Sequence, residues 1–323
     1  MKWVLRIVLL LLALLVVAFL VFRTPDTDPA EMRAKYGGEP SQFVEIGDGV
    51  MVHLRDEGPR DAPAIMLLHG SNADLHTWQP WVDALKDRYR VIRFDQIGHG
   101  LTGPDPDGDY STDNFVSDID EVADALKLRT FVLGGNSMGG SHAVAYALEH
   151  PERLQGLVLV DAAGAPITKE SKGNIGFAIA RTPVLNQLMK HITPRSMVEK
   201  SLRQSVTNEA IVTPQAVDRY WELLRYPGNR GATIARFSAR RSAFDAQDVG
   251  QIEAPSLVIW GEDDALIPVE AGLWFDTHLP NSRLVVYPGI GHLPHEEVAD
   301  RSARYLLSWL EEQDFASAAK PLE

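Results

Sequence analysis

The sequence predicts an α/β protein: a mostly parallel, eight-stranded sheet with helices on both faces, interrupted by one helical insertion and preceded by one transmembrane helix. Three observations predict it. Short, near-continuous runs of Val, Ile and Leu recur from residue 42 onward and alternate with helical periodicity, the pattern of strands covered on both faces and joined by βα crossovers. That alternation stops between about 165 and 247, where helical patterns follow one another. Finally, residues 3–22 are apolar except for Arg6, and about 20 such residues cross a hydrocarbon layer of roughly 30 Å.

Taken in chain order, 3–22 reads as a signal anchor. Arg6 lies near one end, where a long cationic side chain reaches the headgroups. A cleaved signal peptide would have an apolar run of about 7–15 residues and then a small-x-small site. Here the run ends in Ala18-Phe19-Leu20-Val21-Phe22-Arg23 with no such site, so an uncleaved anchor is expected. Lys2 and Arg6 precede the span, while Arg23, Arg33 and Lys35 follow it among Asp26, Asp28 and Glu31. The expected orientation puts the short amino terminus inside and the body outside. In a Gram-negative bacterium that is the periplasm. Residues 23–41, with Pro25, Pro29, Gly37, Gly38 and Pro40, read as a linker.

The body then opens with strands at 42–46 and 50–56 around Gly47-Asp48-Gly49, a hairpin signal. Further strands are expected at 64–69, 90–94, 130–133, 157–160, 256–260 and 283–287. Helices are expected near 78–87, 112–127, 138–149, 269–279 and 297–313. The insertion shows apolar periodicity at 175–189, 197–202 and 217–224. Core segments 42–164 and 248–315 thus flank a helical cap at 165–247, and 316–323 is a tail. An insertion over the carboxyl ends of strands can roof a binding cleft.

Composition removes several classes of function. Lys and Arg total 31 against 44 Asp and Glu, a formal charge of −13, and the basic residues of the anchor leave the body more negative still. Nucleic-acid binding needs the opposite charge. No cysteine is present, which excludes disulfides, thiolate metal sites and cysteine nucleophiles.

Gly135-Asn136-Ser137-Met138-Gly139 fits G-x-S-x-G between a strand and a helix. A sharp strand-to-helix turn strains the serine backbone, and glycines on both sides let the chain pack that tightly. Ser137 would stand at a helix N-terminus, which favours developing negative charge. A serine needs a base, and the base an orienting acid. Gly261-Glu262-Asp263-Asp264 and Gly289-Ile290-Gly291-His292 follow the strands at 256–260 and 283–287. Both lie past the same sheet edge as Ser137, in the order Ser, Asp, His.

With these residues in place, the body resembles the α/β-hydrolase superfamily, in its cap-bearing branch of esterases, lipases and C–C bond hydrolases. The resemblance spans 42–315. It is carried by Leu68-His69-Gly70-Ser71, the loop from Asp95 to Gly100, the elbow at 134–140, Trp260 to Asp264 with Pro268, and the loop ending in His292. It implies Ser137 as nucleophile and His292 as general base. Its Gly-x-x-Asp-x-x-x-Pro pattern, met by Gly261 and Pro268, selects Asp264 as the acid over Asp263 and Glu262. It also implies an oxyanion hole of the Met138 and Ser71 backbone N–H groups, with Asn72 able to add a side-chain donor. His69 and the 95–100 loop are expected to be structural.

Aspartate-dependent relatives, the haloalkane dehalogenases and epoxide hydrolases, are disfavoured because the elbow residue is Ser137. The expected substrate is a small apolar ester, cleaved without cofactor or metal. His295 lies three residues after His292, but no third ligand at metal spacing accompanies them. Trp221, Phe237, Met189 and Phe244 are candidate pocket-lining residues; Arg240-Arg241 is expected on a solvated face. The alternatives are C–C hydrolysis of meta-cleavage products and slow-turnover ligand reception. The elbow resembles the C–C hydrolases, yet those tend to carry a tryptophan soon after the histidine, where this chain has Leu293-Pro294-His295.

Overall fold

A computed structural model describes residues 2–166, 178–179, 182, 185–239, 242–313 and 315, without the side chains of Asp48 and Met189. The start of the 175–189 periodicity, Arg240-Arg241 and the 316–323 tail lie outside the described residues.

Helix α1 (Lys2–Phe22) is continuous and buries no side chain. Its 21 residues are long and apolar enough to cross a membrane. The following segment departs from the expected linker, because it holds a second helix, α2 (Pro29–Tyr36). The physical reason is local. Asp28 accepts hydrogen bonds from Ala30 N and Glu31 N at 2.8 and 3.0 Å, and Pro29 opens the helix with φ already set. Met32 then docks it, buried with Leu101, Leu223 and Tyr226.

The sheet comprises β1 (Ser41–Ile46), β2 (Val50–Glu57), β3 (Ala64–Leu68), β4 (Arg90–Phe94), β5 (Phe131–Asn136), β6 (Leu154–Val160), β7 (Ser256–Gly261) and β8 (Ser282–Tyr287). Its order is β1-β2-β4-β3-β5-β6-β7-β8. Strand β2 pairs antiparallel with both β1 and β4, and all other pairs are parallel. The eight expected strands are all present; β5 runs on to Asn136 and β6 begins at Leu154.

Alternation along each strand feeds two cores. Met66 and Leu68 join Ile92, Phe94 and Leu133 under α4 (Thr112–Ala125) and α5 (Met138–Glu149). Ile65 and Leu67 join Trp78, Trp81, Leu306 and Trp309 on the opposite face, under α3 (Gln79–Leu85). Each such side chain contributes about 2 kcal/mol by leaving water, which is why β3 reads as an unbroken apolar run.

Between β6 and β7 lie α6 (Leu185–Met189), α7 (Arg195–Arg203), α8 (Pro214–Leu224), α9 (Asn229–Ser238) and α10 (Ala246–Val249), with no strand among the described residues. The chain closes with α11 (Glu270–His278), β8, α12 (Pro294–Glu297) and α13 (Ala299–Glu312). Because β3 lies between β4 and β5, the chain changes direction there. The carboxyl ends of β3 and β5 flank the crevice that such a switch creates.

Candidate active site

Ser137 joins β5 to α5 with φ 54° and ψ −115°. A side-chain-bearing residue adopts that backbone only when its surroundings hold it. Here Ser137 N donates to Val160 O at 3.0 Å, and its carbonyl accepts from Ser141 N and Ala163 N. The flanking glycines are steric necessities. A Cβ on Gly135 would lie 2.3 Å from the Gly139 carbonyl, and one on Gly139 would lie 2.4 Å from Leu68 O.

At the end of β7, Asp264 uses one carboxylate oxygen to accept from Leu266 N and Ile267 N at 2.7 and 3.1 Å. The other oxygen accepts from His292 Nδ1 at 2.6 Å. Both side chains are buried, whereas Glu262 and Asp263 are exposed. A carboxylate fixed by two backbone donors orients the imidazole and leaves Nε2 available to take a proton. Asn136 ties this loop to the elbow: its Nδ2 donates to His292 O and to Val160 O, each at 3.1 Å. The loop after β3 comes equally close, since a Cβ on Gly70 would lie 3.2 Å from Ser137 Cβ.

Ser71 and Met138 meet through a hydrogen bond from Ser71 Oγ to Met138 Sδ at 3.3 Å. Asn72, at φ 61°, points its Oδ1 to the insertion. It accepts there from Thr233 Oγ1 at 2.9 Å and from Arg236 at 3.3 Å. Arg236, buried on α9, also donates to Ser71 Oγ and Met138 Sδ at 3.3 and 3.1 Å. The Asn72 Oδ1 is therefore an acceptor held between core and insertion. Neither Thr233 nor Arg236 carried a signal in the sequence, since only the packing of α9 over the β3 loop brings them there.

Of the other pocket candidates, Trp221 and Phe237 are engaged within the insertion and Phe244 packs against the main core. The indole of Trp221 donates to Thr193 O at 2.7 Å, and the Arg225 guanidinium lies 3.6 Å from its ring centroid. Phe237 packs with Ile234, Ile179 and Met197. His295 is fully buried against Trp78, with ring centroids 4.3 Å apart. Burial, reinforced by His292, pushes its pKa down to about 3, so it stays neutral. His69 accepts from Gln96 N at 3.0 Å and Gln96 Nε2 donates back to His69 O, which makes the pair a brace for the crevice wall.

A further buried carboxyl went unread in the sequence. Asp161, one residue past β6, accepts from Gly261 N at 3.0 Å. Its other oxygen is buried with no donor among the described residues, and the carboxyl lies within hydrogen-bond reach of the Asp264 carboxyl. Atoms of Asp161, Asp264 and His292 all lie within 4.8 Å of one another. Burial first, then the Asp264 charge, holds the Asp161 carboxyl well above the usual carboxylate range. A carboxyl whose anionic form is disfavoured by burial and a neighbouring carboxylate suits a positioning role better than cation binding.

Comparison with known proteins agrees with this architecture. The chain is 30% identical over 286 residues to 2-hydroxymuconate semialdehyde hydrolase of Pseudomonas putida, covering 85% of this chain and 98% of that one. It is 31% identical over 279 residues to 2-hydroxy-6-oxononadienedioate/2-hydroxy-6-oxononatrienedioate hydrolase of Burkholderia vietnamiensis, covering 83% and 93%. In fold it is similar to the crystal structure of a bacterial membrane phospholipase A, with TM-score 0.75 and 24% identity over 97% of this chain and 98% of that one. Residues 63–299 match the model of the alpha/beta hydrolase fold family, and this enzyme, a hydrolase, belongs to that family.

Proposed function

We propose that the enzyme is a serine hydrolase that cleaves a carboxylic ester with an apolar part, through an acyl-enzyme on Ser137. The observation that carries this reading is the 2.6 Å hydrogen bond from His292 Nδ1 to Asp264, braced by Asn136 against a strained elbow serine. In this mechanism His292 Nε2 takes the Ser137 proton as Oγ attacks the carbonyl carbon. The Met138 and Ser71 N–H groups receive the oxyanion, which is worth roughly 10²–10³ in rate per donor. His292 then protonates the departing alcohol, and water attacks the acyl-enzyme by the same path in reverse.

Attachment favours an apolar ester over a freely dissolved substrate. On this reading α1 anchors the chain and the body lies on the extracytoplasmic side. The end of α1 bonds directly to the insertion, Thr24 N donating to His191 O at 2.7 Å. The helices at 165–247 then form a cap between bilayer and crevice. A second reading, C–C hydrolysis of a ring-fission dienoate, draws on the names of the relatives and on buried Arg236 beside Asn72, since a guanidinium suits a carboxylate.

The test is a series of p-nitrophenyl esters of increasing acyl length beside a 2-hydroxy-6-oxo-dienoate, with the enzyme in uncharged detergent and Ser137→Ala alongside. Ester turnover should peak at one chain length and fall roughly 10⁴–10⁶-fold in the variant. Faster consumption of the dienoate than of any ester would transfer the assignment to C–C cleavage. A folded enzyme turning over neither would point to ligand reception.

A further inference from the structure

At the carboxyl end of α1 lies a cleft of about 540 Å³, lined in part by Phe19, Arg23, Asp26, Lys190 and Arg230. Its walls are tied together by backbone and side-chain contacts. Thr24 N donates to His191 O at 2.7 Å, Thr193 N donates to Thr24 Oγ1 at 2.7 Å, and the Phe19 ring meets His191 edge-on at 6.0 Å. Arg230, buried on α9, donates to Thr24 O at 2.8 Å and to Asp26 Oδ1 at 2.5 Å. The Asp26 charge is thereby matched. Arg23 and Lys190 stand on the cleft without an ion-pair partner among the described residues.

The location decides what such a cleft meets. If α1 crosses the bilayer, its apolar run ends at Phe22, so Arg23 and the cleft stand at headgroup depth. Two cations with no carboxylate partner among the described residues thus face a concave site at that depth, in a chain of net charge −13. The carbonyl end of α1 is itself negative, and Arg23, the residue that follows it, offsets that end. We propose that this cleft binds the phosphodiester headgroup of an anionic phospholipid, held by Arg23 and Lys190 against the rigid wall built by Thr24 and Arg230. The inference rests on reading α1 as a membrane helix. Its consequence is positional: Arg230 shares α9 with Thr233 and Arg236, which reach Asn72 and Ser71, so a bound lipid and the active site would meet on one helix.

The test uses the full-length protein in uncharged detergent and counts bound lipids by native mass spectrometry. Phosphatidylglycerol and phosphatidylcholine are compared in the wild type and in the double variant Arg23→Gln, Lys190→Gln. Exposed ion pairs are worth up to about 1 kcal/mol each, or roughly fivefold in affinity, so phosphatidylglycerol should be preferred roughly fivefold or more and the double variant should lose that preference. Equal binding of the two lipids, or a variant that keeps the preference, overturns the proposal. Displacement of phosphatidylglycerol by millimolar inorganic phosphate overturns the lipid assignment in favour of a free anion. An unchanged thermal midpoint shows that the variant is folded. Carbonate-washed membranes test the anchor separately: protein released there refutes the membrane reading, whatever the cleft binds in detergent.

Discussion

At Asp161 a second carboxyl lies beside the acid of the proposed Ser-His-Asp relay. Burial and the Asp264 charge raise its pKa well above the carboxylate norm, with Glu297 adding a smaller push and the Gly261 N–H opposing. The folded protein therefore keeps a proton that the unfolded chain releases. The sign follows: stability from this group is intact below the ordinary carboxylate range and is lost as pH rises through the raised value. Asp161→Asn keeps a neutral, hydrogen-bonding group and removes that loss. Its stability advantage over the wild type should grow from pH 5 to pH 9 in urea titrations, with neutral-pH turnover largely retained. Asp161→Ala should lose both turnover and stability. A constant difference between Asp161→Asn and wild type across that range would refute the raised pKa. Ser137, Asp264 and His292 were legible as candidates for that relay because each occupies a strand-end turn whose backbone demands a local motif. Asp161, Asn136 as a bridge, and Arg236 were not legible, because their roles arise only when distant segments are packed together.

Among the elements, the loop between α7 and α8 is the one most directly coupled to the proposed base. Ser205 O accepts from His292 N at 2.8 Å, and buried Glu297 gathers the residues that follow. One of its oxygens accepts from Thr207 N, Thr207 Oγ1 and Asn208 N at 2.8–2.9 Å. Its other oxygen accepts from Leu293 N at 3.3 Å, so removing this carboxylate leaves three backbone donors stranded, at a cost of about 3 kcal/mol. Glu297→Ala should therefore lower the unfolding free energy by that amount and reduce kcat more than it alters KM, since His292 loses its brace. Glu297→Gln, which keeps one acceptor oxygen, should recover part of both. Wild-type stability in Glu297→Ala would show that the loop is held elsewhere. The helices of the core were readable from periodicity, as was the hairpin from its glycines. Helix α2 was missed because three prolines and two glycines suggested an extended segment, although Asp28-Pro29 is itself a helix-start signal.

For the whole molecule, the segment after α1 is a structural joint between that helix, the insertion and the core. Thr27 N donates to Arg225 O at 3.0 Å, and Asp26 pairs with buried Arg230. Met32 is buried beneath α2, and Lys35 Nζ and Tyr36 Oη both reach Glu222 at 2.6 Å. Burial of a methionine alone is worth about 2 kcal/mol. Loss of the carboxylate facing a buried guanidinium adds to it, so the segment should contribute roughly 3–5 kcal/mol in all. Two truncations separate anchoring from this contribution. A chain starting at residue 23 should be soluble without detergent and melt within about 2 °C of the full-length protein. A chain starting at residue 41 should melt about 10 °C lower, at roughly 2–4 °C per kcal/mol for a body of this size. It should also be cleaved faster by protease between α6 and α9, where the lost partners His191, Glu222, Arg225 and Arg230 lie. Scanning calorimetry of the two chains reads the difference, and equal melting temperatures would reduce the segment to a tether. The predicted gap arises because the residues that join α1 to the body are the same ones that brace its helical insertion.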